Sequence, residues 1–398
     1  MSSKVPTVKI GDICRTYSGG TPDRSRPENF GGGIPWVKSG EIVGVVTKTE
    51  ETLTLAGLEN SSAKWVEPGA LLIAMYGAGL TAGQVARLAI RATTNQAVLA
   101  VVPNEPADAE YLEHALAAVV PTLLRRKQGS GQPNLNAEII RRVRVPWPGV
   151  ALRRAIEIAV RSLDSVGENI SELIAAKRTF RRGLMQHLLT GQRRFPEFRD
   201  SHWVKTTIGE LFAEVQRRVA WNEDKTYTLV SVRRRSGGLF LRERKKGAEI
   251  KVKSLYVIHE GDILISTRQV VHGAIARVPA QFDGAHVSGE YMTLVPQDGA
   301  AISTRYFDYL SQLPRMYHAS FLASYGVDIE KLTFNPRWYL ETAIHLPECV
   351  DEQHRIVSVL EMCDRELNLL AAQRGLIDIY KRALLSRLLS GDLSVPSP

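Results

Sequence analysis

The residues with the clearest potential for chemistry lie between Leu72 and Gly83, where an apolar run leads into Gly77 and Gly79. A dinucleotide or S-adenosylmethionine loop needs glycine at such a place because its backbone approaches the ligand closely. The spacing here is Gly-x-Gly-x-x-x-Gly, however, and residues 84–90 alternate like a strand and do not open a helix. We therefore interpret these glycines as structural turns.

A second segment, Phe334–Tyr339, has some similarity to the Asn-Pro-Pro-aromatic loop of amino-methyltransferases. Arg337 stands where the second proline would be, and no convincing cofactor loop lies upstream. We predict a plain loop at this segment.

The sequence gives little support for metal-dependent or nucleophilic catalysis. The cysteines lack a short metal-ligand spacing, and their odd number does not suit a disulfide framework, so we expect reduced thiols. The histidines of the second half are scattered, and no acidic pair with a lysine indicates a nuclease centre. We predict no catalytic residue, no cofactor and no metal site. The cysteines and histidines concerned are Cys14, Cys349, Cys363, His259, His272, His286, His318 and His345.

Charge favours a polyanionic partner. The 398 residues contain 51 Lys+Arg and 42 Asp+Glu, a net charge of +9. Residues 141–200 hold thirteen basic and six acidic residues, and residues 233–253 hold nine and two, so each window carries +7. Either window alone is also compatible with a solvated surface. The N-terminus lacks the apolar run of a signal peptide, and no stretch approaches about eighteen apolar residues, so we expect a soluble cytoplasmic protein without a membrane partner.

The elements that position these residues fall into two similar halves. Residues 1–148, the first head, consist of short apolar runs separated by Gly and Pro, which is typical of strands and turns, with one helix predicted at 107–127. Residues 204–349, the second head, are again β-rich. Each head is followed by a proline-free stretch whose apolar residues recur every seven positions. Two helices of about 40 residues, each roughly 60 Å long, are therefore predicted.

A helix of that length cannot bury its apolar stripe on a head of about 35 Å, so we expect the two helices to pair antiparallel. The predicted fold class is α+β: two β-rich globular domains separated by a pair of long antiparallel coiled-coil helices with pseudo-two-fold symmetry. The seam residues of the pair are Ile156, Val160, Leu163, Ile170, Ile174, Leu184, Ile356, Leu360, Cys363, Leu367, Leu370, Ile377 and Leu384.

An internal repeat supports this duplication. Phe180–Gly191 and Tyr380–Gly391 are identical at five of twelve positions. Two similar units in one basic chain suit a pseudo-symmetric ligand such as duplex DNA. The clear repeat covers only the helix ends, because the Gly19-Gly20 and Trp36 motifs have no counterpart in the second head. We therefore interpret the heads as having diverged.

The ordered motifs of the chain resemble those of the specificity subunits of Type I restriction–modification systems. In the first half they are Ile10-Gly-Asp-Ile13, Ser18-Gly-Gly-Thr-Pro22, Ile34-Pro-Trp-Val-Lys-Ser-Gly-Glu-Ile42, Gly57-Leu-Glu-Asn-Ser-Ser-Ala-Lys64, Thr94-Asn-Gln-Ala97, Gln132-Pro-Asn-Leu-Asn136, Val145-Pro146 and Leu188-Leu-Thr-Gly191. The second half contains Ile208-Gly-Glu-Leu211, Gly261-Asp-Ile-Leu264, Gly273-Ala-Ile-Ala276 and Val287-Ser-Gly-Glu-Tyr291, which resemble a different subtype of recognition domain in the same family.

The resemblance implies a non-catalytic subunit whose two heads are target recognition domains, each reading one half of a bipartite, asymmetric site in double-stranded DNA. It implies partners as well: two methyltransferase (modification) subunits and an endonuclease/translocase subunit. The corresponding boundaries are 1–148 for the first recognition domain, 149–191 for the first spacer helix, 192–203 for a linker, 204–349 for the second recognition domain, 350–391 for the second spacer helix and 392–398 for a tail.

Candidate DNA contacts follow from the chemistry of recognition, in which Lys and Arg position phosphates and forked polar groups read base edges. In the first head the candidates are Lys38, Ser39, Tyr76, Gln128, Gln132 and Asn134. In the second they are Arg233, Arg234, Arg235, Lys245, Lys246, Arg268, Gln269 and Tyr325. Two other functions stay open: a self-contained S-adenosylmethionine-dependent DNA methyltransferase, and a coiled-coil interaction module that does not bind DNA.

Overall fold

The computed structural model describes residues 5–76, 82–127 and 135–390. The chain forms two compact units, residues 1–171 with 372–398 (the first unit) and residues 172–371 (the second unit). Each unit contains one head, the beginning of the long helix that follows it and the end of the other long helix. The predicted α+β class and the two long helices are confirmed.

The first half consists of strands and short helices followed by one long helix. Its strands are β1 (Thr7–Lys9), β2 (Cys14–Ser18), β3 (Phe30–Val37), β4 (Val45–Val46), β5 (Glu51–Leu53), β6 (Trp65–Val66), β7 (Leu71–Ala74), β8 (Val85–Leu88), β9 (Ala92–Thr94), β10 (Val98–Pro103) and β11 (Arg144–Pro146). Its helices are α1 (Ile10–Ile13), α2 (Leu55–Glu59), α3 (Ala109–Lys127), α4 (Ala137–Arg142) and α5 (Val150–Leu189).

The second half has the same general order. Its strands are β12 (Trp203–Thr207), β13 (Phe212–Glu214), β14 (Thr226–Val232), β15 (Leu239–Lys246), β16 (Leu255–Val257), β17 (Ile263–Ser266), β18 (Ile275–Arg277), β19 (His286–Ser288), β20 (Tyr291–Pro296), β21 (Ser324–Tyr325), β22 (Thr333–Phe334) and β23 (Ala343–Pro347). Its helices are α6 (Ile208–Leu211), α7 (Thr304–Ser311), α8 (Pro314–Leu322), α9 (Pro336–Leu340) and α10 (Val350–Ser390).

The two heads share one sheet topology, apart from the additional edge strand β4 in the first head. The first head has a sheet in the order β2-β10-β7-β8-β4 and a second in the order β5-β3-β9-β6; the second head has β13-β20-β17-β18 and β15-β14-β19-β16. In both, the second sheet contains one parallel pair, β3–β9 or β14–β19, flanked by antiparallel pairs. The duplication therefore extends through the heads, and our interpretation of a repeat confined to the helix ends was too narrow.

The central strands of each head are buried on both faces. In β7, Leu71 and Ile73 belong to the cluster that packs against α3 and α5, whereas Leu72 and Ala74 belong to a second cluster on the opposite face. The strand β17 divides its residues between two clusters in the same way. A strand covered on both faces reads as a continuous apolar run, which explains the lack of alternation in these segments.

The glycine motif of the first head is required by packing. The buried indole of Trp36 donates a hydrogen bond from Nε1 to the carbonyl of Gly20 (3.1 Å). A Cβ on Gly19 would lie 1.9 Å from the carbonyl oxygen of Thr94, and one on Gly20 would lie 2.3 Å from the amide nitrogen of Ala63. Only glycine permits this close backbone approach.

The seam residues of the long helices have two roles. At the helix beginnings, Ile156 and Val160 are fully buried in the core of the first head, and Ile356 and Leu360 in that of the second. The seven-residue pattern did not distinguish residues that pack into a head from residues that pack between the two long helices. The remaining seam residues are half-buried: Leu163, Ile170, Ile174, Leu184, Cys363, Leu367, Leu370, Ile377 and Leu384.

Within each unit the segments of α5 and α10 run antiparallel, as predicted. Ascending residue numbers on α5 contact descending numbers on α10. The contacts are Asp164 with Lys381 (2.5 Å) and Ser171 with Arg374 (3.2 Å) in the first unit, and Lys177 with Glu366 (2.6 Å) and Arg181 with Asp364 (2.5 Å) in the second. The helix ends also complete the heads, since Leu384 packs on the first core and Leu184 on the second.

The junction between α3 and the end of α10 buries titratable groups. His114 and Glu113 line a cavity of about 1130 Å³ together with Asp164 and Lys381. Burial lowers the pKa of His114 to about 4, and the charge of Lys381 acts in the same direction. Burial raises the pKa of the Glu113 carboxyl.

We expect His114 to make the first unit sensitive to acid. In the unfolded chain the imidazole has a pKa of about 6.5. The contribution of neutral His114 to stability is therefore complete above that pH and is lost as the pH falls towards 4. In urea unfolding, His114→Gln should reduce the difference in unfolding free energy between pH 7 and pH 5 by about 2 kcal/mol. The raised pKa of Glu113 changes stability in the opposite direction, but it does so in both the wild type and the variant, so its effect cancels in the comparison. The exposed His318 provides the control, since His318→Gln should leave that difference unchanged; an equal reduction in both variants would contradict the assignment to His114.

Candidate nucleic-acid interface

Three loops of the second head meet around one carboxylate. Arg234 donates from its guanidinium to Glu330 Oε2 (2.7 Å) and to Gln269 Oε1 (2.5 Å). The imidazole Nε2 of His272 lies 3.3 Å from Glu330 Oε1. The predicted contacts Arg234 and Gln269 are thus brought together, and Glu330 and His272 join them. The loops are residues 233–238 between β14 and β15, 267–274 between β17 and β18, and 326–332 between β21 and β22. We call this set of loops the loop cluster.

The loop between β14 and β15 has a strained backbone. Arg235 and Ser236 have φ values of 58° and 52°, and no other non-glycine residue in the described ranges has a positive φ. Their amides donate to the carbonyls of His272 (2.7 Å) and Gly273 (2.8 Å), and the Ser236 hydroxyl bonds to that of Tyr317 (2.8 Å). Left-handed backbone at such residues costs roughly 1–3 kcal/mol each and persists only where the surroundings hold it. The loop is therefore fixed by its neighbours.

Of the three consecutive arginines, Arg235 is the one without a side-chain partner among the described residues. Its side chain is exposed and makes no hydrogen bond or ion pair with the described residues. Arg233 lies over the ring of Phe240 (4.4 Å) and donates to the carbonyl of Leu239 (3.4 Å). A guanidinium that is exposed and unpaired on a fixed loop suits contact with a phosphate or a guanine edge.

Arg268 lies on the second loop of the cluster and is engaged. Its guanidinium donates to both carboxylate oxygens of Glu290 (2.5 and 3.3 Å) and holds the pKa of that carboxyl below its usual range. The pair is exposed to solvent. Contact of Arg268 with DNA therefore competes with this ion pair.

The strand β15 carries the remaining basic candidates. Lys245 is paired with Glu243 (2.8 Å), whereas Lys246 is exposed. Arg244, which was not among the predicted contacts, is also exposed. Arg244 pairs with Thr228 of β14, and Lys246 pairs with Thr226 two positions away, so the two cations lie on the same face of the sheet. Alternation of residues 244 and 246 in a strand was the signal that could have identified Arg244.

An aromatic pair lies beside the third loop. Tyr325 and Trp338 are about half exposed and meet edge to face with ring centroids 5.9 Å apart. The prediction of a plain loop at Phe334–Tyr339 is wrong, because α9 begins there: the side chain of Asn335 accepts hydrogen bonds from the amides of Arg337 (3.0 Å) and Trp338 (3.3 Å). Asn followed by Pro is a favoured helix start, with proline at the first helical position.

In the first head, Lys38 belongs to a charged network. Its ammonium contacts Glu50 (3.1 Å) and Glu51 (2.9 Å), and these partners raise the pKa of Lys38. The carboxylate of Glu41 accepts from the amides of Lys38 and Glu50 (both 2.7 Å). Ser39 begins the turn that connects them. The Lys-Ser-Gly-Glu motif thus braces a loop, and contact of Lys38 and Ser39 with DNA stays a prediction.

Of the other candidates of the first head, the structure describes Tyr76, which lies just after the end of β7. It is 40% exposed at the start of the loop that follows this strand. The amide of Leu135 donates to the carbonyl of Met75 (3.4 Å), which brings the segment before α4 next to this loop. Gln128, Gln132 and Asn134, like Gly77 and Gly79, lie outside the described residues. The loop after β7 occupies the topological position of the loop after β17 in the second head.

The described residues contain neither a metal centre nor a disulfide. In that part of the chain, no group of three or more His, Cys, Asp or Glu side chains is arranged to hold a metal. The three cysteines are free thiols, and burial raises the pKa of Cys14 to about 12. Over the same ranges, no helix has both the length and the apolar character to cross a bilayer.

The sequence is similar to known specificity subunits. Residues 2–165 match the family model of the Type I restriction modification DNA specificity domain. The chain is 24% identical over 196 residues to the Type I restriction enzyme EcoR124I/EcoR124II specificity subunit of Escherichia coli, covering 48% of this chain and 46% of that protein. It is 25% identical over 167 residues to the MjaIX specificity subunit of Methanocaldococcus jannaschii, covering 40% and 38%. The matched region is thus less than half the length of these relatives.

The fold is shared more widely. The S subunit of the Type I restriction–modification system from M. genitalium aligns over 98% of this chain and 96% of its own, with a TM-score of 0.53 and 13% identity. A chain from a structural study of Type I complex assembly and conformational transition aligns over 98% and 100%, with a TM-score of 0.64 and 18% identity. A specificity domain is thus matched over residues 2–165, and the fold of a solved Type I S subunit is shared along nearly the whole chain.

Proposed function

We propose that this chain is the sequence-specific DNA-recognition and scaffold subunit of a Type I restriction–modification complex. The first head (1–148) and the second head (204–349) each read one half of a bipartite, asymmetric site in double-stranded DNA. The observation that carries the proposal is that one topology occurs twice with different loops at the same end of the sheet. Similar scaffolds that carry different loops are suited to reading two unlike half-sites.

The long helices, residues 149–191 and 350–391, act in this proposal as spacers and as docking surfaces. Residues 192–203 link the halves, and residues 392–398 form a tail. Each helix has exposed apolar residues at intervals of seven, outside the seam. They are Val166, Leu173 and Phe180 on α5, and Met362, Leu369 and Leu376 on α10. Exposed apolar stripes of this kind favour packing with helices of a partner, for which we propose two methyltransferase subunits, joined by an endonuclease/translocase subunit.

Catalysis is assigned to those partners. A self-contained methyltransferase is disfavoured because the segment after β7 leads into the antiparallel strand β8, whereas a nucleotide-binding loop leads into a helix. The side chain of Asn335 is likewise committed to capping α9. Titration of the purified chain with S-adenosylmethionine by calorimetry should give no binding heat, and saturable binding would favour the methyltransferase alternative.

The proposal is tested by selecting from random duplexes with the full chain, alone and together with its modification subunits. A bipartite motif should be enriched, and its binding should weaken steeply with salt because phosphate contacts release counterions. Failure to enrich any bipartite motif at any salt concentration would exclude this function. Indifference to DNA with retained binding of an acidic protein would favour the interaction module.

A further inference from the structure

We propose that Glu330 sets the DNA selectivity of the second head by occupying Arg234 in the free protein. Only a duplex that offers better acceptors than this carboxylate then gains the Arg234 guanidinium. The inference rests on the proposed function, and it assigns the role to an acidic residue within a basic surface.

The geometry makes Glu330 a substitute for a DNA acceptor. Arg234 donates from two of its nitrogens towards the two Glu330 oxygens, at 2.7 and 3.5 Å. A guanine presents the same pair of acceptors, O6 and N7, to an arginine fork in the major groove. Arg234 and Glu330 are both about half exposed, so a ligand can reach the pair and exchange with the carboxylate.

The contacts join separate parts of the chain. Residues 234, 272 and 330 come from the three different loops of the cluster, and Arg234 also donates to Gln269. Arg234 and His272 hold the pKa of the Glu330 carboxyl below its usual range, so it is charged at neutral pH. A charged carboxylate at this place repels a phosphate that approaches without displacing it.

The two kinds of duplex should therefore respond differently to its removal. In a cognate complex the base or phosphate displaces the carboxylate from Arg234, so removing Glu330 saves only an exposed ion pair, which contributes little in water. In a mismatched complex no acceptor displaces the carboxylate, which stays in place, keeps Arg234 from the DNA and repels nearby phosphates. Removing Glu330 should help mismatched DNA more than cognate DNA, which lowers the selectivity ratio.

The test compares Glu330→Gln with the wild-type full chain by fluorescence anisotropy. The probes are the selected duplex and the same duplex with the second half-site scrambled. We expect the variant to bind the scrambled duplex about 3–10-fold more tightly and the selected duplex within about 2-fold of wild type. The salt dependence on scrambled DNA should steepen by about one counterion, as expected if one more cation reaches a phosphate.

The control is Glu341→Gln, which removes the same charge from another exposed Arg–Glu pair of this head, Arg337–Glu341 (3.8 Å). It should change binding of either duplex by less than about 2-fold. In the double variant Arg234→Ala/Glu330→Gln, the gain on scrambled DNA should disappear if Arg234 is the masked cation. Thermal unfolding of each variant identifies any loss of folding.

The outcomes separate this inference from the proposed function. If wild type binds the selected and scrambled duplexes equally, the proposed function fails. If wild type discriminates but Glu330→Gln behaves like wild type, or improves both duplexes equally, the role of Glu330 is overturned. A gain that persists in the double variant also overturns it, because the masked cation is then not Arg234.

Discussion

Replacing Arg235 with alanine is expected to weaken binding of the selected duplex by about 1–3 kcal/mol, or roughly 5- to 150-fold. The reason is that this guanidinium is exposed and unpaired among the described residues, on a loop whose backbone is held by the carbonyls of His272 and Gly273. Alanine keeps the Cβ, so the cost of the left-handed backbone at φ 58° is unchanged and folding should not be affected. Anisotropy titrations with the selected duplex measure the change.

The pattern of the loss identifies the contact. If Arg235 reads a base, tolerance should increase at one position of the second half-site; if it contacts a phosphate, binding should weaken evenly across sequences with a shallower salt dependence. Arg337→Ala is the control, because the Arg337 side chain is 87% exposed on α9 and the substitution removes the same charge. Equal losses in both variants would mean that only net charge matters, and an unchanged affinity in Arg235→Ala would remove this residue from the interface.

Replacing Ile356 with aspartate is expected to destabilise the second unit by more than about 4 kcal/mol, enough to abolish its folding in many proteins of this size. Ile356 is 1% exposed within the core of the second head, so the substitution buries an unpaired charge. Leu370→Asp, in the half-buried middle of the same helix, should cost much less. Urea unfolding followed by circular dichroism measures the difference.

A neighbouring residue provides the matched control. Leu369 is 65% exposed, so Leu369→Asp should change stability by no more than about 0.5 kcal/mol. It lies on the apolar stripe proposed to bind the modification subunits, and its variant should reduce their co-purification. Similar losses of stability at residues 356 and 370 would contradict the separation of head packing from helix pairing along α10.

The local patterns of the sequence determined the larger architecture. Residues 150–190 and 351–390 identified the long helices because a seven-residue apolar period is a property of neighbouring positions, independent of what packs against them. Apolar runs such as Leu71–Ala74 indicated buried strands for the same reason. The half-chain repeat then predicted two similar units. These features required no knowledge of which residues meet in space.

The tertiary structure decided everything that depends on contacts between distant residues. Arg234 and Glu330 are 96 positions apart, and their meeting follows from strand order and register, which no local pattern encodes. The same holds for the shared topology of the heads, whose core positions accept many apolar side chains and so conceal the duplication. Residue type predicted that Arg234 and Lys38 supply cations for DNA. It could not predict that the fold places a carboxylate beside each of them, with which the cation then pairs. The sequence thus supplied the charged groups, and the fold alone decided that Arg235 is exposed while Arg234 and Lys38 are occupied.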